Sequence, residues 1–243
     1  MIAAAYVQNG AKVYIASRKL ADLERVAAQL TEAGNKAGTG GKAIAIQADV
    51  GSKAGCDALA DAIKARESNL DILVNNSGLS WGAPLVDFPE ANGWDKTFAL
   101  NVKSQFYLTV ALLPILEKNK TNVNPAVVIN VASIAALSPS AEGALSAAGE
   151  ASLHLTKVLA SSFTKRHVNV NAILPGVFPS RMTSFGIENA GDELLRNQPT
   201  GRVGTPEDIG GIAVFLSSRA GAHCTGTSIV VDGGQLLGAT AKL

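Results

Sequence analysis

The sequence predicts an α/β protein with a doubly wound parallel sheet. Short apolar runs rich in β-branched residues recur along the 243 residues, and helix-like segments separate them. Nearly continuous apolar strands are typical of a parallel sheet that helices cover on both faces. Regular alternation of strand and helix indicates right-handed crossover units. We therefore expect one domain over residues 1–243.

The predicted strands share a high content of Val, Ile and Ala, which suits a buried pleated surface. They are Val13–Ser17, Ala43–Gln47, Ile72–Asn75, Val127–Val131, Val168–Leu174 and Ser228–Val231. None contains an acidic or basic residue, as expected when both faces are covered.

Helical patterns occupy the intervals between these strands. Apolar spacing predicts helices over Ile2–Gln8, Leu20–Thr31, Lys53–Arg66, Trp94–Glu117 and Ser146–Phe163. Gly10 is a typical C-terminal stop for the first of them, and Ser52 a typical N-cap for the third. Thr205 as N-cap and Pro206 at the first helical position predict another helix start.

Composition excludes several classes of function. A formal net charge of +1 offers no basic field for nucleic acid or an anionic membrane. We find no apolar run of the ~18–20 residues that a membrane span needs, and no basic secretory leader. Cys56 and Cys224 lack metal-binding spacing, as do the scattered histidines, so no metal site is predicted. We expect a cytoplasmic protein with a small-molecule substrate.

Five short motifs follow one another in a fixed order along the chain. They are Asn75–Gly78, Leu100–Val102, Asn130–Ser133, Pro175–Gly176 and Asp232–Gly234. Each alone is compatible with ordinary turn chemistry. As a series they resemble the short-chain dehydrogenase/reductase family, and the resemblance covers nearly the whole chain.

Within that family, two further segments resemble NADP-dependent 3-oxoacyl-[acyl-carrier-protein] reductases of the rhamnolipid-synthesis type. They are Phe178–Thr183 and Gly201–Asp208. The resemblance implies a Rossmann-like sheet whose carboxyl edge binds NADP, in accord with the general rule for open α/β sheets. It also implies a homodimer or homotetramer, and a variable lid over Phe178–Pro199.

The resemblance assigns a cofactor role to several strand ends. Arg18 and Lys19 follow a strand where an acidic residue would bind a ribose hydroxyl; a basic pair there favours the 2′-phosphate of NADP. The alternative for this pair is solvated charge at a helix start. Asp49 matches the family's contact to adenine.

Two later strand ends complete the predicted cofactor shell. Asn75 and Gly78 match the cofactor-side turn after the third predicted strand. Pro175, Gly176 and Val177 match the segment whose main chain contacts the nicotinamide amide.

The catalytic residues that the resemblance implies are only half present. Asn101 matches the residue that holds a water, and Ser133 the residue that binds the substrate carbonyl; Ser133 equally suits a turn at a strand end. The family's Tyr and Lys positions register with Leu145 and Gly149 when counted back from His167. Counted forward from Ser133, they register with Ser146 and Glu150.

Neither register restores the missing pair. The tyrosines are Tyr6, Tyr14 and Tyr107, and neither Lys nor Arg lies between Lys120 and Lys157. A positioned proton donor contributes about 10²–10⁴ in rate, so its loss is serious. Ser146 is a far weaker acid than a phenol. Glu150 would place negative charge beside a developing oxyanion. It could instead act as a base in the ancestral pocket if its surroundings raise its pKa, or be simply a solvent-facing side chain.

The family's first strand and its Gly-rich pyrophosphate turn also lack a counterpart, since no GxGxxG occurs in the chain. In a 3-2-1-4-5-6 sheet that strand is central. We therefore expect unpaired edges on Val13–Ser17 and Ile72–Asn75, with a tendency to instability or aggregation. This pattern leads us to expect a truncated or alternative-start product.

Two functions remain open from the sequence. The first is a descendant of NADP(H)-dependent ketone or 3-oxoacyl reductases whose redox chemistry is impaired. The second is a pseudoenzyme that binds a ligand, performs a non-redox step such as cyclisation or isomerisation, or serves as a partner subunit.

Overall fold

The computed structural model describes residues 1–138, 143–180, 183, 195 and 198–238, without the side chains of 143–145. The predicted lid over Phe178–Pro199 therefore lies largely outside the described residues. Within the described ranges, strands and helices alternate as the sequence predicts.

The strands lie within one or two residues of their predicted positions. They are β1 (Lys12–Ser17), β2 (Lys42–Gln47), β3 (Ile72–Asn75), β4 (Ala126–Val131), β5 (Val168–Pro175) and β6 (Ser228–Val231). Every pairing among them is parallel.

Of the five helices predicted with both ends, three are longer than the sequence pattern indicates, one matches it and one is two residues shorter. They are α1 (Ile2–Gln8), α2 (Leu20–Lys36), α3 (Lys53–Lys64), α4 (Glu90–Leu116), α5 (Gly143–Phe163), α6 (Pro206–Ser217) and the short α7 (Gln235–Gly238). The predicted start of α6 is confirmed, because Thr205 and Asp208 form a capping box around Pro206.

The sheet is divided into two parts. β1 pairs with β2, whereas β3, β4, β5 and β6 form a four-stranded sheet in that order. In the part of the chain that the structure describes, no ladder joins β1 to β3. This division lies where the sequence predicts a missing central strand, and it confirms the expected open edges.

Helices cover both faces of the strands. On one face α1 and α6 pack on β4 and β5 around Tyr6, Ile129 and Ile173. On the other face α3, α4 and α5 pack on the same strands around Leu112 and Val128. Successive residues of β4 thus enter opposite clusters, as the two-residue strand period requires.

Helix α4 is long and apolar. By length and composition it could cross a membrane, with a mean hydropathy of 1.3 over an 18-residue window. A core helix of a soluble protein meets the same criterion, and Leu108, Leu112 and Leu116 of α4 are buried against the sheet. Two π-helical segments, Glu90–Asp95 and Ala99–Lys103, interrupt its α-helical hydrogen bonding.

Candidate active site

Nine of the twelve predicted cofactor and catalytic residues lie at or just after the carboxyl ends of parallel strands, whereas Asn101, Ser146 and Glu150 lie on helices. Asn75 ends β3, and Pro175 ends β5. Arg18 follows β1, Asp49 follows β2, and Ser133 follows β4. Because each sheet is parallel and in register, the ends within each sheet share one edge, and open α/β sheets bind ligands at that edge.

The ends of β1 and β2 present charge to solvent. Arg18, Lys19 and Asp49 are exposed. The Gln47 amide donates to the Arg18 carbonyl at 2.9 Å, which ties the two strand ends together. Asp49 accepts from the Gly51 N–H at 3.0 Å and so shapes the turn into α3. This corner supplies two accessible cations that suit an anionic group.

Asn75 lies in a buried polar network. Its Nδ2 donates to Thr109 Oγ1 at 3.2 Å and to Asn130 Oδ1 at 2.8 Å. Asn130 in turn donates to Thr156 Oγ1 at 2.9 Å. Both N–H groups of the Asn75 side chain are thus engaged between β3, β4 and α4, and we attribute a positioning role to that side chain.

Asn101 fixes the turn that follows β3. Its Oδ1 accepts from the Leu79 N–H and its Nδ2 donates to the Leu79 carbonyl, both at 2.9 Å. A Cβ on Gly78 would lie 3.4 Å from Asn101 Oδ1, so the turn packs closely on the helix. The structure thus brings Asn101 and Gly78 together, and it does so at a π-helical segment of α4.

Ser133 and Ser146 bind the same short turn, Ile134–Ala136. Ser133 Oγ accepts from the Ala135 N–H at 3.2 Å, and Ser146 Oγ donates to the Ala135 carbonyl at 2.7 Å. Both hydroxyls are partly accessible. The N–H and the carbonyl of Ala135 therefore hold the two serine hydroxyls at the same turn, just after the end of β4.

The contacts of helix α5 bear on which of its residues occupy the family's Tyr and Lys positions. The sequence leaves this register open between positions 145 and 149 and positions 146 and 150. Gly149 is buried, and a Cβ there would lie 2.9 Å from the Ala136 Cβ. Ser152 and Thr156, three and seven residues further on, are buried too, whereas Glu150 is exposed. Helical spacing puts position 145 one turn before Gly149 on this buried side. Gly149 rather than Glu150 therefore meets the Ser133 turn, which favours the register of positions 145 and 149. Ser146 of the other register also bonds this turn, through the Ala135 carbonyl, and the Leu145 side chain lies outside the described residues.

The predicted nicotinamide segment borders a cavity. The Gly176 N–H donates to the Val231 carbonyl at 2.9 Å, and a Cβ on Gly176 would lie 2.8 Å from Asp232. Beside it, Val177, Phe178, Arg202 and Asp232 line a cavity of about 360 Å³. Glycine is thus required at position 176 for the close approach of β5 and β6.

An ion pair lies at the rim of this cavity. Arg202 donates from Nη1 at 2.6 Å and from Nη2 at 3.0 Å to the two carboxylate oxygens of Asp208. This bidentate contact, together with the N–H of Thr205, holds the pKa of Asp208 well below its usual range. The Arg202 side chain is therefore held at the N-terminal cap of α6 by its ion pair with Asp208.

The tyrosines are engaged in structural contacts. Tyr6 donates to the Ala213 carbonyl at 3.0 Å, and Tyr14 donates to Glu67 at 2.6 Å. Tyr107 on α4 packs edge to face against Phe106.

Sequence reasoning missed Thr109 and Thr156. Asn130 was visible as a polar residue inside an apolar strand, but its partners lie on distant helices. In the described residues, no group of three or more His, Cys, Asp or Glu side chains could hold a metal ion.

A parallel α/β sheet with polar residues along its carboxyl edge is the architecture of the doubly wound nucleotide-binding folds. A protein-family model described as "Enoyl-(Acyl carrier protein) reductase" matches residues 1–235. The chain belongs to the short-chain dehydrogenase/reductase family, an assignment that the curated relatives and solved structures also support.

Curated relatives of known name cover most of the chain. The rhamnolipids biosynthesis 3-oxoacyl-[acyl-carrier-protein] reductase of Pseudomonas aeruginosa is 41% identical over 239 residues, which is 96% of this chain and 90% of the relative. The 3-oxoacyl-[acyl-carrier-protein] reductase FabG of Chlamydia pneumoniae is 32% identical over 230 residues, covering 94% and 88% respectively.

Solved structures show the same fold. The Pseudomonas aeruginosa RhlG/NADP active-site complex superposes with a TM-score of 0.84 at 38% identity, covering 96% of this chain and 90% of that one. A 7α-hydroxysteroid dehydrogenase complexed with NADH and 7-oxo glycochenodeoxycholic acid gives 0.82 at 28% identity, covering 96% and 88%.

Proposed function

We propose that this chain binds NADP(H) along the carboxyl edge of its sheet and is impaired in reducing ketone or 3-oxoacyl substrates. The chain is an oxidoreductase of its family by descent. The observation that carries the proposal is the face of α5 beside Ser133. It presents a buried glycine and an exposed glutamate where the family resemblance calls for lysine.

The described residues fit part of an NADP(H) site. Arg18 and Lys19 are exposed cations at the end of β1, which suits a 2′-phosphate. Asp49 is exposed at the neighbouring strand end, and Val177 borders the cavity beside β5. The NADP-bound relative of 38% identity supports the same choice of cofactor. A glycine-rich pyrophosphate turn is the part of the site for which the chain shows no motif.

The residues beside the turn can perform only part of carbonyl reduction. When bound, NADPH supplies a hydride. The hydroxyl of Ser133 can donate a hydrogen bond to a substrate carbonyl, and the Asn101 turn can hold the neighbouring wall in place. The alkoxide that forms needs a proton, and an aliphatic hydroxyl such as that of Ser146 is a poor donor at neutral pH. We therefore expect carbonyl reduction to be slow, because the alkoxide lacks an effective proton donor.

A fluorescence titration with NADPH tests the cofactor part of the proposal. We expect saturable binding that weakens at least tenfold in the Arg18→Ala/Lys19→Ala variant, while affinity for NADH changes little. Lys36→Ala is the matched control, because Lys36 ends α2 about 24 Å from the end that Lys19 precedes. Absence of NADPH binding to a folded protein would contradict the proposal and favour a non-redox ligand-binding role.

We further propose that the protein is a cytoplasmic homodimer or homotetramer associating through α4 and α5. Phe106 and Val110, one turn apart on α4, are each 40% exposed, and Val158 of α5 is 47% exposed. By contrast Leu113 is only 5% exposed and belongs to the core. An exposed apolar stripe of this kind favours contact with another copy.

A further inference from the structure

Two exposed cations lie where β1 and β2 end, and their main chain is held from two sides. Arg18 and Lys19 follow β1 directly, and both are exposed. On the strand side, the Ala48 N–H, just past the end of β2, donates to the Ser17 carbonyl at 3.0 Å. On the helix side, the Lys19 carbonyl accepts from the Leu23 N–H at 3.1 Å in the first turn of α2. The peptide that joins the two cations therefore lies between a strand end and a helix start.

Gln47 supplies a hydrogen bond to that peptide. Its Cα is paired with that of Ser17 in the β1–β2 register, one residue before Arg18. Its Nε2 donates to the Arg18 carbonyl at 2.9 Å. Because the atoms of a peptide are coplanar, a bond to this carbonyl also orients the N–H of Lys19 and restricts rotation about the bond between the Arg18 Cα and its carbonyl carbon. Gln47 thus limits the directions in which the Arg18 side chain leaves the main chain.

Preorganisation of this kind matters for an exposed arginine. Its side chain loses rotamer freedom when it binds an anion, and a main chain that already points toward the ligand reduces the loss. Arginine also binds phosphate through a planar fork, so its affinity depends on the angle of approach. Since Gln47 is itself exposed, its bond should affect phosphate binding more than stability.

We infer that Gln47 is a positioning residue for a ribose 2′-phosphate. This role rests on the cofactor site proposed above, in which Arg18 and Lys19 bind the 2′-phosphate of NADP(H). Gln47 holds the Arg18–Lys19 peptide, and the Arg18 guanidinium makes the contact with the ligand. Gln47 thereby contributes to a preference for NADP(H) over NAD(H), although it carries no charge.

A fragment of the cofactor isolates this corner from the rest of the site. The probe 2′,5′-ADP carries the 2′-phosphate, whereas 5′-AMP is the same nucleotide without it. Their dissociation constants are measured by NMR titration of the full chain and of Gln47→Met, which keeps the length of the side chain and removes its N–H donor. We expect 2′,5′-ADP to bind the variant about fivefold more weakly, the equivalent of one ordinary hydrogen bond, and 5′-AMP affinity to change by less than about twofold.

Gln29→Met is the matched control for this substitution. Gln29 is exposed on α2, about 14 Å along the helix from Leu20, so its affinity for 2′,5′-ADP should equal that of the unaltered protein. Gln47→Asn, whose amide is one methylene shorter and falls short of the carbonyl, should repeat the loss seen with Gln47→Met. Thermal unfolding checks that each variant is folded, with midpoints expected within about 3 °C of the unaltered protein.

A double-mutant cycle separates positioning from direct contact. If Gln47 acts through Arg18, then Arg18→Ala/Gln47→Met binds 2′,5′-ADP as weakly as Arg18→Ala alone, within about twofold. Losses that add across the two positions would mean that Gln47 contacts the phosphate itself, and would overturn its positioning role. Equal affinity of the unaltered protein and Gln47→Met for 2′,5′-ADP would overturn it as well.

The fragment also distinguishes failure of this role from failure of the proposed function. Binding of 2′,5′-ADP that depends on Gln47, in a protein that does not bind NADPH, would contradict the proposed function and support the role of Gln47. NADPH binding that Gln47→Met leaves unaltered would overturn the role of Gln47 and leave the proposed function in place. No binding of 2′,5′-ADP to the folded protein would overturn the role of Gln47 outright.

Discussion

At the scale of single residues, the polar network around Asn75 predicts a clear difference between neighbouring asparagines. Asn75→Ala leaves the acceptor atoms Thr109 Oγ1 and Asn130 Oδ1 without the donor that Asn75 supplies, which should lower the free energy of unfolding by about 2–3 kcal/mol. Asn76 is exposed, so Asn76→Ala should change stability by less than about 0.5 kcal/mol. Urea denaturation measures both, and equal effects would contradict the role given to the network.

Tyr6 predicts a loss of stability at high pH. Burial raises the pKa of Tyr6 to about 12, despite an opposing hydrogen bond from Ser217. Since the folded pKa lies above the unfolded value near 10, its contribution is complete below pH 10. It should disappear between about pH 10 and pH 12, at about 1.4 kcal/mol per pH unit.

Comparison with Tyr6→Phe isolates this effect from the other ionising groups. The unfolding free energies of the two proteins should converge or cross as the pH rises from 9 to 12. Parallel curves would show that the phenol of Tyr6 ionises as readily in the folded state as in the unfolded state.

The sequence predicts the residues at strand ends better than it predicts their partners. Arg18, Asp49 and Ser133 follow strands whose apolar pattern is plain, so their shared edge can be inferred from topology. Asn75 is different, because Thr109 lies 34 residues away on another element and only the tertiary fold brings them together. The sequence places Asn75 at the cofactor-side turn, but only the structure shows that its side-chain amide donates to Thr109 and Asn130.

At the scale of elements, the contact between α5 and the Ile134–Ala136 turn predicts opposite effects of two glycine substitutions. Gly149→Ala should destabilise the protein although alanine favours helix, because its Cβ would lie 2.9 Å from the Ala136 Cβ and 3.2 Å from its Cα. Gly211→Ala in α6 meets nothing within 4 Å and should stabilise by about 0.5–1 kcal/mol. Thermal unfolding compares them; stabilisation by both would mean that α5 does not approach the turn this closely.

Helix boundaries are predicted less accurately by the sequence pattern than strand boundaries are. Apolar periodicity predicts α4 to begin at Trp94, but the helix begins at Glu90 in a π-helical segment that follows no 3.6-residue period. The end of α2 extends from Thr31 to Lys36, because polar residues continue a helix without marking it. The strands, whose apolar runs end abruptly, were predicted more closely.

At the scale of the whole molecule, the exposed stripe on α4 predicts an oligomer that a single charge can dissociate. Phe106→Glu should lower the mass observed by sedimentation velocity, because the charge would be buried against another copy. Val123→Glu is the control, since Val123 is 70% exposed and lies outside both α4 and α5. Equal masses for all three proteins would contradict association through this stripe.

The division of the sheet into two parts is a feature of the whole fold that the sequence pattern predicts. The absence of a glycine-rich motif predicted open edges on β1 and β3, and the described strands show them. The chain nevertheless superposes on complete family members with a TM-score of 0.84, so the remaining elements keep their places. Covering helices, rather than the sheet ladder alone, hold the two parts in one layer.

The central claim is that this chain keeps the reductase scaffold and lacks its proton donor, and restoring the donor tests it most directly. The variant Ala136→Gly/Leu145→Tyr/Gly149→Lys supplies the missing pair, and the glycine removes the atom that lies closest to a Cβ at position 149. Its rate of NADPH oxidation with a 3-oxoacyl thioester should exceed that of the unaltered protein by about 10²–10⁴-fold. Ser146→Tyr/Glu150→Lys should gain far less, because Glu150 is exposed and a lysine in its place would not face the turn as one at position 149 does. A folded variant that binds NADPH and shows no gain would contradict the account.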